Sequence, residues 1–78
     1  MITLEVAVLS PEKVLFKGRA RSLIVPGDLG VLEILPFHKR LVSRLLRGMV
    51  IVDDKKWRVK KGVLKVSQNK VVVIIENE

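Results

Sequence analysis

Apolar and polar residues alternate along most of this chain, and the alternation predicts short β-strands. Within residues 2–9 every second side chain is apolar, which is the period of a strand with one buried face. Turn signals rich in Ser, Pro, Asp, Asn and Gly separate the apolar segments. This pattern predicts an all-β fold, a small flattened β-sandwich or barrel of about eight to ten short strands. The segments predicted to be extended are residues 2–9, 14–16, 23–25, 31–35, 49–52, 56–66 and 70–75.

The longest of these segments changes phase part-way along. Trp57 and Val59 share one parity, whereas Leu64 and Val66 share the other. Since a regular strand keeps one parity on the core side, the change predicts a β-bulge or tight bend around residues 61–62.

A turn is predicted at Pro26-Gly27. Proline fixes φ at the first corner of a β-turn, and glycine accepts the positive φ that the second corner requires. Gly30 then leads into the apolar strand 31–35, so the region is interpreted as a β-turn-β unit.

Residues 39–48 fit two structures. Leu41, Val42, Leu45 and Leu46 recur at helical spacing with basic residues opposite. The run is short, however, and isolated helices of fewer than about 12 residues are marginal. The local pattern leaves a short helix and an extended segment open.

Some predicted strands are apolar on both faces, most clearly residues 23–25, 31–32 and 71–75. Two interpretations remain open. The surplus apolar surface is an interface for a partner, or these strands are central and buried on both sides.

The composition indicates one folded domain and excludes some kinds of chemistry, but it does not identify a function. A chain of 78 residues with 49% hydrophobic residues predicts one folded domain over residues 1–78. Cysteine is absent, so disulfide and thiolate chemistry are excluded. No N-terminal signal pattern is present, and the longest apolar run is far shorter than the roughly 20 residues of a membrane-spanning helix. The net charge of +7 suits a phosphate backbone, an acidic protein surface or anionic lipid.

The inventory of reactive side chains is too small to predict catalysis. His38 is the single histidine, and no serine or cysteine is marked as its nucleophile. Asp53 and Asp54 are adjacent in a predicted hairpin turn, which favours a solvated turn over a cation site. The glycines at 27 and 30 lack the Gly-Lys-Ser/Thr ending of a phosphate loop. We therefore expect no enzyme activity of its own, no catalytic residue, no cofactor and no metal.

A basic strand face suggests nucleic acid as an alternative partner. Lys56, Arg58 and Lys60 share one face, but recognition of single strands usually adds exposed aromatic rings for stacking. Trp57 has the parity of the core. A small basic β-barrel that binds nucleic acid is therefore the alternative function, and we do not expect nucleic acid as the main partner.

Several motifs occur in an order that resembles a known family. S-P-E-K-V-L-F-K-G at 10–18 resembles T-P-E-x-x-x-F-x-G, and R-S-L-I-V-P-G at 21–27 resembles K-S-V-x-V-P-G. Residues 30–38 resemble G-E-F-G-I-L-P-G-H, and residues 59–66 resemble V-S-G-G-F-L-E-V. Together they resemble the N-terminal β-sandwich domain of the epsilon subunit of F-type ATP synthases, called delta in mitochondria.

The resemblance implies a non-catalytic subunit of the rotor's central stalk. Such a subunit binds the gamma subunit and the membrane c-ring, and so couples proton translocation to ATP synthesis. In a bacterium it lies peripherally on the cytoplasmic side of the inner (plasma) membrane. The implied gamma interface includes His38 and Val42, and the implied structure of residues 39–48 is extended. The implied c-ring interface consists of Gly27, Asp28, Leu29, Gly30 and Val31.

The chain also departs from the family pattern. Phe37 replaces the glycine of L-P-G-H, Lys61 replaces the first glycine of V-S-G-G, and Val31 replaces the acid of G-E-F. A side chain penalises positive φ, so altered turn backbones are predicted where glycine is lost. The family's C-terminal helical hairpin has no counterpart in the sequence. We therefore expect the functions of that hairpin, restraint of ATP hydrolysis and nucleotide binding in some members, to be absent.

Overall fold

The protein, described here from a computed structural model, is all-β over the described residues 2–77. Its eight strands are joined by short turns, which confirms the predicted fold class. The strands are β1 (Leu4–Leu9), β2 (Val14–Ala20), β3 (Leu23–Gly27), β4 (Gly30–Ile34), β5 (Leu41–Leu45), β6 (Gly48–Val52), β7 (Lys55–Ser67) and β8 (Lys70–Asn77).

The strands hydrogen-bond in the order β2-β1-β8-β7-β5-β3-β4, and β6 pairs with both β3 and β7. Only the β1–β8 pair is parallel among these ladders. Residues 55–59 of β7 pair with β6, whereas residues 62–66 pair with β5. The long strand β7 therefore changes its antiparallel partner from β6 to β5 part-way along.

One face of each strand forms the core. No polar or charged side chain of the described residues is buried, so the side chains of the interior pack through apolar contacts only. The buried set is Leu4, Val6, Val8, Ala20, Leu23, Val25, Ile34, Leu45, Val50, Val52, Val59, Leu64, Val66, Val71, Val73 and Ile75.

The final strand has one exposed apolar face. In β8, Val71, Val73 and Ile75 point into the core, whereas Val72 and Ile74 are 37% and 48% exposed. The interpretation that this strand is buried on both sides is therefore wrong. Its apolar outer face is available for contact with another molecule.

The phase change in β7 is a β-bulge, as predicted. The β7–β8 register shifts between Val59 and Lys61, which leaves Lys60 as the extra residue and moves the inward parity by one. A Cβ atom at Gly62 would collide with the carbonyl oxygen of Ile74. The two backbones approach so closely beside the bulge that only glycine fits.

Residues 41–45 form a strand, so the helical interpretation is wrong and the extended one is confirmed. Five residues of β5 pair antiparallel with β7, from Leu41 opposite Val66 to Leu45 opposite Gly62. The helical spacing of the leucines is overridden because β7 offers a complete ladder of backbone partners.

The prediction of turn corners at Pro26-Gly27 is wrong. Both residues belong to β3, and the two-residue loop consists of Asp28 and Leu29, with Gly27 paired to Gly30. Gly30, at φ 127°, is the only glycine with positive φ among the described residues. Gly27 is required for space instead, since a Cβ there would lie 2.9 Å from the Gly30 carbonyl oxygen.

The hairpin turn at Asp53-Asp54 has a structural role beyond solvation. The carboxylate of Asp53 accepts hydrogen bonds from the backbone N–H groups of Arg21 at 3.0 Å and Ser22 at 3.1 Å. These residues form the break between β2 and β3, so Asp53 fixes the corner where the chain enters β3.

Candidate interaction surface

The β3–β4 hairpin projects an apolar tip from the sandwich. Leu29 at the tip is fully exposed, and Val31 on the edge strand β4 is largely exposed. Gly27 and Gly30 close the two-residue loop between them. The predicted c-ring residues 27–31 thus form one continuous projection.

An ion pair ties this tip to β5. The guanidinium Nη2 of Arg44 lies 3.3 Å from Oδ1 of Asp28. Both side chains are solvent-exposed, so the pair contributes little to folding stability. Its effect is local, because it links the hairpin loop to a strand that is itself paired along its length.

The tip and β5 together border a groove, here called the tip groove, of about 560 Å³. Asp28 and Leu29 of the predicted c-ring interface and Val42 of the predicted gamma interface all line it. Sequence reasoning assigned these residues to two partners, whereas the structure brings them around one depression. The remaining lining residues are Leu32, Leu41, Ser43, Arg44 and Val63.

A second groove of about 380 Å³ continues the surface along β7 and β8. Arg44 and Val63 line both grooves, and Ile74 adds its exposed side chain to the second. Lys61 and Glu76, which are cross-strand partners, also line it and form an ion pair with Nζ and Oε2 3.8 Å apart. The exposed apolar face of the sandwich therefore extends from the hairpin tip to β8.

His38 lies in a different place, in the turn between β4 and β5. It lines neither groove, its Nδ1 is 2.8 Å from the carbonyl oxygen of Lys39, and its side chain is half-buried. The two predicted gamma-facing residues, His38 and Val42, thus belong to separate parts of the surface.

The turn before His38 has a left-handed backbone of the kind that glycine favours, although Phe37 stands where the family motif has glycine. The backbone N–H of His38 donates to the carbonyl oxygen of Leu35 at 3.2 Å, and Phe37 has a φ of 67°. With Pro36 at the first corner, this is the geometry of a type II turn. The altered backbone predicted for this position is therefore wrong.

Asn69 is a residue whose importance sequence reasoning missed. Its Oδ1 accepts a hydrogen bond from the Phe37 backbone N–H at 3.0 Å, and its Nδ2 donates to the Thr3 carbonyl oxygen at 2.7 Å. Its own carbonyl oxygen accepts the Glu5 N–H at 3.1 Å. The Gln-Asn pair predicts a turn, but nothing local predicts these distant partners.

Within residues 2–77 no three His, Cys, Asp or Glu side chains are grouped so that they would hold a metal ion. Trp57 packs against the core, with its ring centroid 6.0 Å from that of Phe16. No helix in this part of the chain is long and apolar enough to cross a bilayer.

Comparison with known proteins identifies the family. Residues 3–77 match the family described as ATP synthase, Delta/Epsilon chain, beta-sandwich domain. The chain belongs to this family.

A protein named ATP synthase epsilon chain from Leptospira borgpetersenii is 38% identical over 78 residues, which cover 95% of this chain and 61% of that protein. The protein of the same name from Bordetella parapertussis is 36% identical over 81 residues, covering 97% of this chain and 58% of that one. The chain thus spans about three fifths of these relatives.

Two solved structures share the fold. A chain in the cryo-EM structure of the Euglena gracilis mitochondrial ATP synthase, OSCP/F1/c-ring, superposes with a TM-score of 0.86 at 16% identity. The match covers 96% of this chain and 51% of the Euglena chain. A chain of the Tetrahymena thermophila mitochondrial ATP synthase, central stalk/c-ring, gives a TM-score of 0.77 at 14% identity, covering 94% of this chain and 63% of that one. At these identities the likeness concerns the fold alone.

Proposed function

We propose that this chain is a non-catalytic subunit of the central stalk of an F-type ATP synthase, which binds the gamma subunit and the c-ring. Through these contacts it couples proton translocation to ATP synthesis, peripherally on the cytoplasmic side of a bacterial inner membrane. The observation that carries the proposal is the exposed apolar surface on a domain of this family. That surface runs from Leu29 through Val42 and Val63 to Ile74.

We assign the hairpin tip, residues 27–31, to the c-ring. An apolar side chain at a projecting tip is unfavourable in water and is typical of a residue that inserts into a partner. The loop at the tip has only two residues and is closed by the Gly27–Gly30 pair, which restricts the positions that the tip can take. A fixed projection loses little conformational freedom on binding.

We assign the surfaces around Val42 and His38 to the gamma subunit. Val42 is 68% exposed, and every residue of its strand β5 is paired with β7, so its side chain offers apolar area on a backbone that the ladder holds in place. The described residues 2–77 form strands and turns, with no helix among them. Restraint of ATP hydrolysis and nucleotide binding are therefore not proposed for them.

The test is retention of the chain by purified gamma subunit at moderate and high salt, with RNA as competitor. Val42→Asp places a charge on the proposed interface and is expected to abolish retention without unfolding the chain, because the side chain is exposed. Val14→Asp is the matched control, since Val14 is 58% exposed on the edge strand β2, and it should bind as the wild type does. Leu29→Asp, assayed in the reconstituted holoenzyme for ATP-driven proton pumping, is the corresponding test of the c-ring contact.

Failure of the wild-type chain to bind gamma would contradict the proposal. If the chain instead bound RNA with an affinity that falls steeply with salt, the alternative of a nucleic-acid-binding module would be supported.

A further inference from the structure

The turn that joins β4 to β5 holds a bulky side chain in an unfavourable conformation. Phe37 has a φ of 67°, a left-handed value that β-carbon sterics disfavour for every residue except glycine and, less strongly, Asn and Asp. Its side chain is 75% exposed, so the ring gains little burial within this chain. Folding alone therefore does not explain a phenylalanine at this position.

The rest of the fold imposes this conformation on the turn. Pro36 presets the first corner, and the Phe37 N–H is bound by Asn69 Oδ1 at 3.0 Å. Asn69 is in turn fixed by its bonds to Thr3 and Glu5 at the start of β1. Strained residues persist where the surroundings over-determine them, and they cluster at binding sites. The backbone at Phe37 is consequently held in one conformation, and the ring that it carries is exposed to solvent.

The charge around the ring indicates what it meets. Glu33, Lys39 and Arg40 are the charged residues nearest to the turn in the sequence, so cations outnumber anions there. Lys39 and Arg40 directly follow the turn and are exposed. A complementary surface would offer an apolar pocket for the ring and carboxylates at the rim of that pocket.

We propose that Phe37 is an aromatic anchor that inserts into an apolar, carboxylate-edged pocket of the gamma subunit. The inference rests on the proposed function, because it takes the gamma subunit as the partner of the turn before His38. It adds a contact specific to this chain, at a position where the family motif has glycine.

Replacement of the anchor separates binding from folding, because the two are expected to change in opposite directions. Phe37→Gly removes both the ring and the left-handed strain. It should raise the Tm of the isolated chain by about 4 °C or more and weaken binding to gamma by at least about tenfold, as truncation of an aromatic hot spot does. Affinity is measured by isothermal titration calorimetry and Tm by circular dichroism.

Two further variants complete the design. Phe37→Ala removes the ring but keeps the strain, so it should lose the same affinity without the gain in Tm. Phe37→Tyr keeps the aromatic ring and should retain nearly the wild-type affinity and Tm. The control outside the proposed site is Val14→Ala, which also removes an exposed apolar side chain and should leave binding unchanged.

The outcomes distinguish this inference from the proposed function. Wild-type affinity in both Phe37→Gly and Phe37→Ala, with Val42→Asp still defective, would overturn the anchor and leave the stalk function standing. Absence of gamma binding by the wild-type chain would overturn both. A loss of affinity in the Gly and Ala variants, with retention in the Tyr variant, would support the anchor.

Discussion

Single residues in this fold are constrained by space as often as by backbone conformation. Gly27 is extended in β3, yet a side chain there would collide with the opposite end of the hairpin. The left-handed conformation, in turn, does not always require glycine. Other residues adopt it, among them Phe37, Gln68 and Asn69. The sequence marks where glycines are, but it does not say which constraint each one satisfies. The turn predicted at Pro26-Gly27 failed for this reason.

Gly62 tests the constraint of space beside the bulge. We expect Gly62→Ala to lower the free energy of unfolding by about 2–3 kcal/mol, since the new methyl group must displace the β8 backbone at Ile74. The matched control is Gly18→Ala, where the new Cβ would lie 3.4 Å from the Phe16 ring in ordinary contact. That variant should change stability by less than about 1 kcal/mol. Urea unfolding measures both, and equal effects would contradict the assigned role of Gly62.

At the scale of strands and turns, local pattern predicts what is local. The bulge in β7 was predictable because a change of parity is visible in consecutive residues. The structure of residues 41–45 was not predictable in this way, because the spacing of its leucines fits both a helix and a strand. These residues form a strand because residues 62–66 of β7 supply backbone hydrogen-bond partners. Asn69 lies beyond local prediction altogether, since its partner Thr3 is 66 residues away.

The β7–β8 turn provides two substitutions with opposite expected effects. Asn69→Gly keeps the left-handed backbone but deletes the bonds to Phe37 and Thr3, so it should destabilise the fold by about 1–2 kcal/mol. Gln68→Gly relieves the left-handed strain of a residue at φ 50° and should stabilise it by up to about 1 kcal/mol. Thermal unfolding followed by circular dichroism compares them. If Asn69→Gly were neutral or stabilising, the turn geometry alone would account for Asn69.

At the scale of the whole molecule, positive charge is in large excess, whereas several exposed apolar side chains form one open face. The chain carries a net charge of +7, whereas the charges at the grooves include two ion pairs, Arg44–Asp28 and Lys61–Glu76. From the sequence, the surplus apolar residues were expected either to be buried or to form an interface, and the pattern alone did not decide between these two interpretations. The choice depends on strand order, including the parallel pairing of β1 with β8, which joins residues 65 positions apart such as Glu5 and Lys70. That order leaves Val63, Val72 and Ile74 on an open face.

This distribution predicts that charge accelerates binding to gamma whereas apolar contact maintains it. Raising the salt concentration from low to high should reduce the association rate by about tenfold, because long-range attraction is screened. The dissociation rate should change little, since buried apolar contacts are insensitive to screening. A double substitution, Lys39→Gln with Arg40→Gln, should likewise lower the association rate, while Val42→Asp should raise the dissociation rate. Surface plasmon resonance separates the two rates. A dissociation rate that rises steeply with salt would mean that the charged residues hold the complex together, as in proteins that bind the phosphate backbone of nucleic acids.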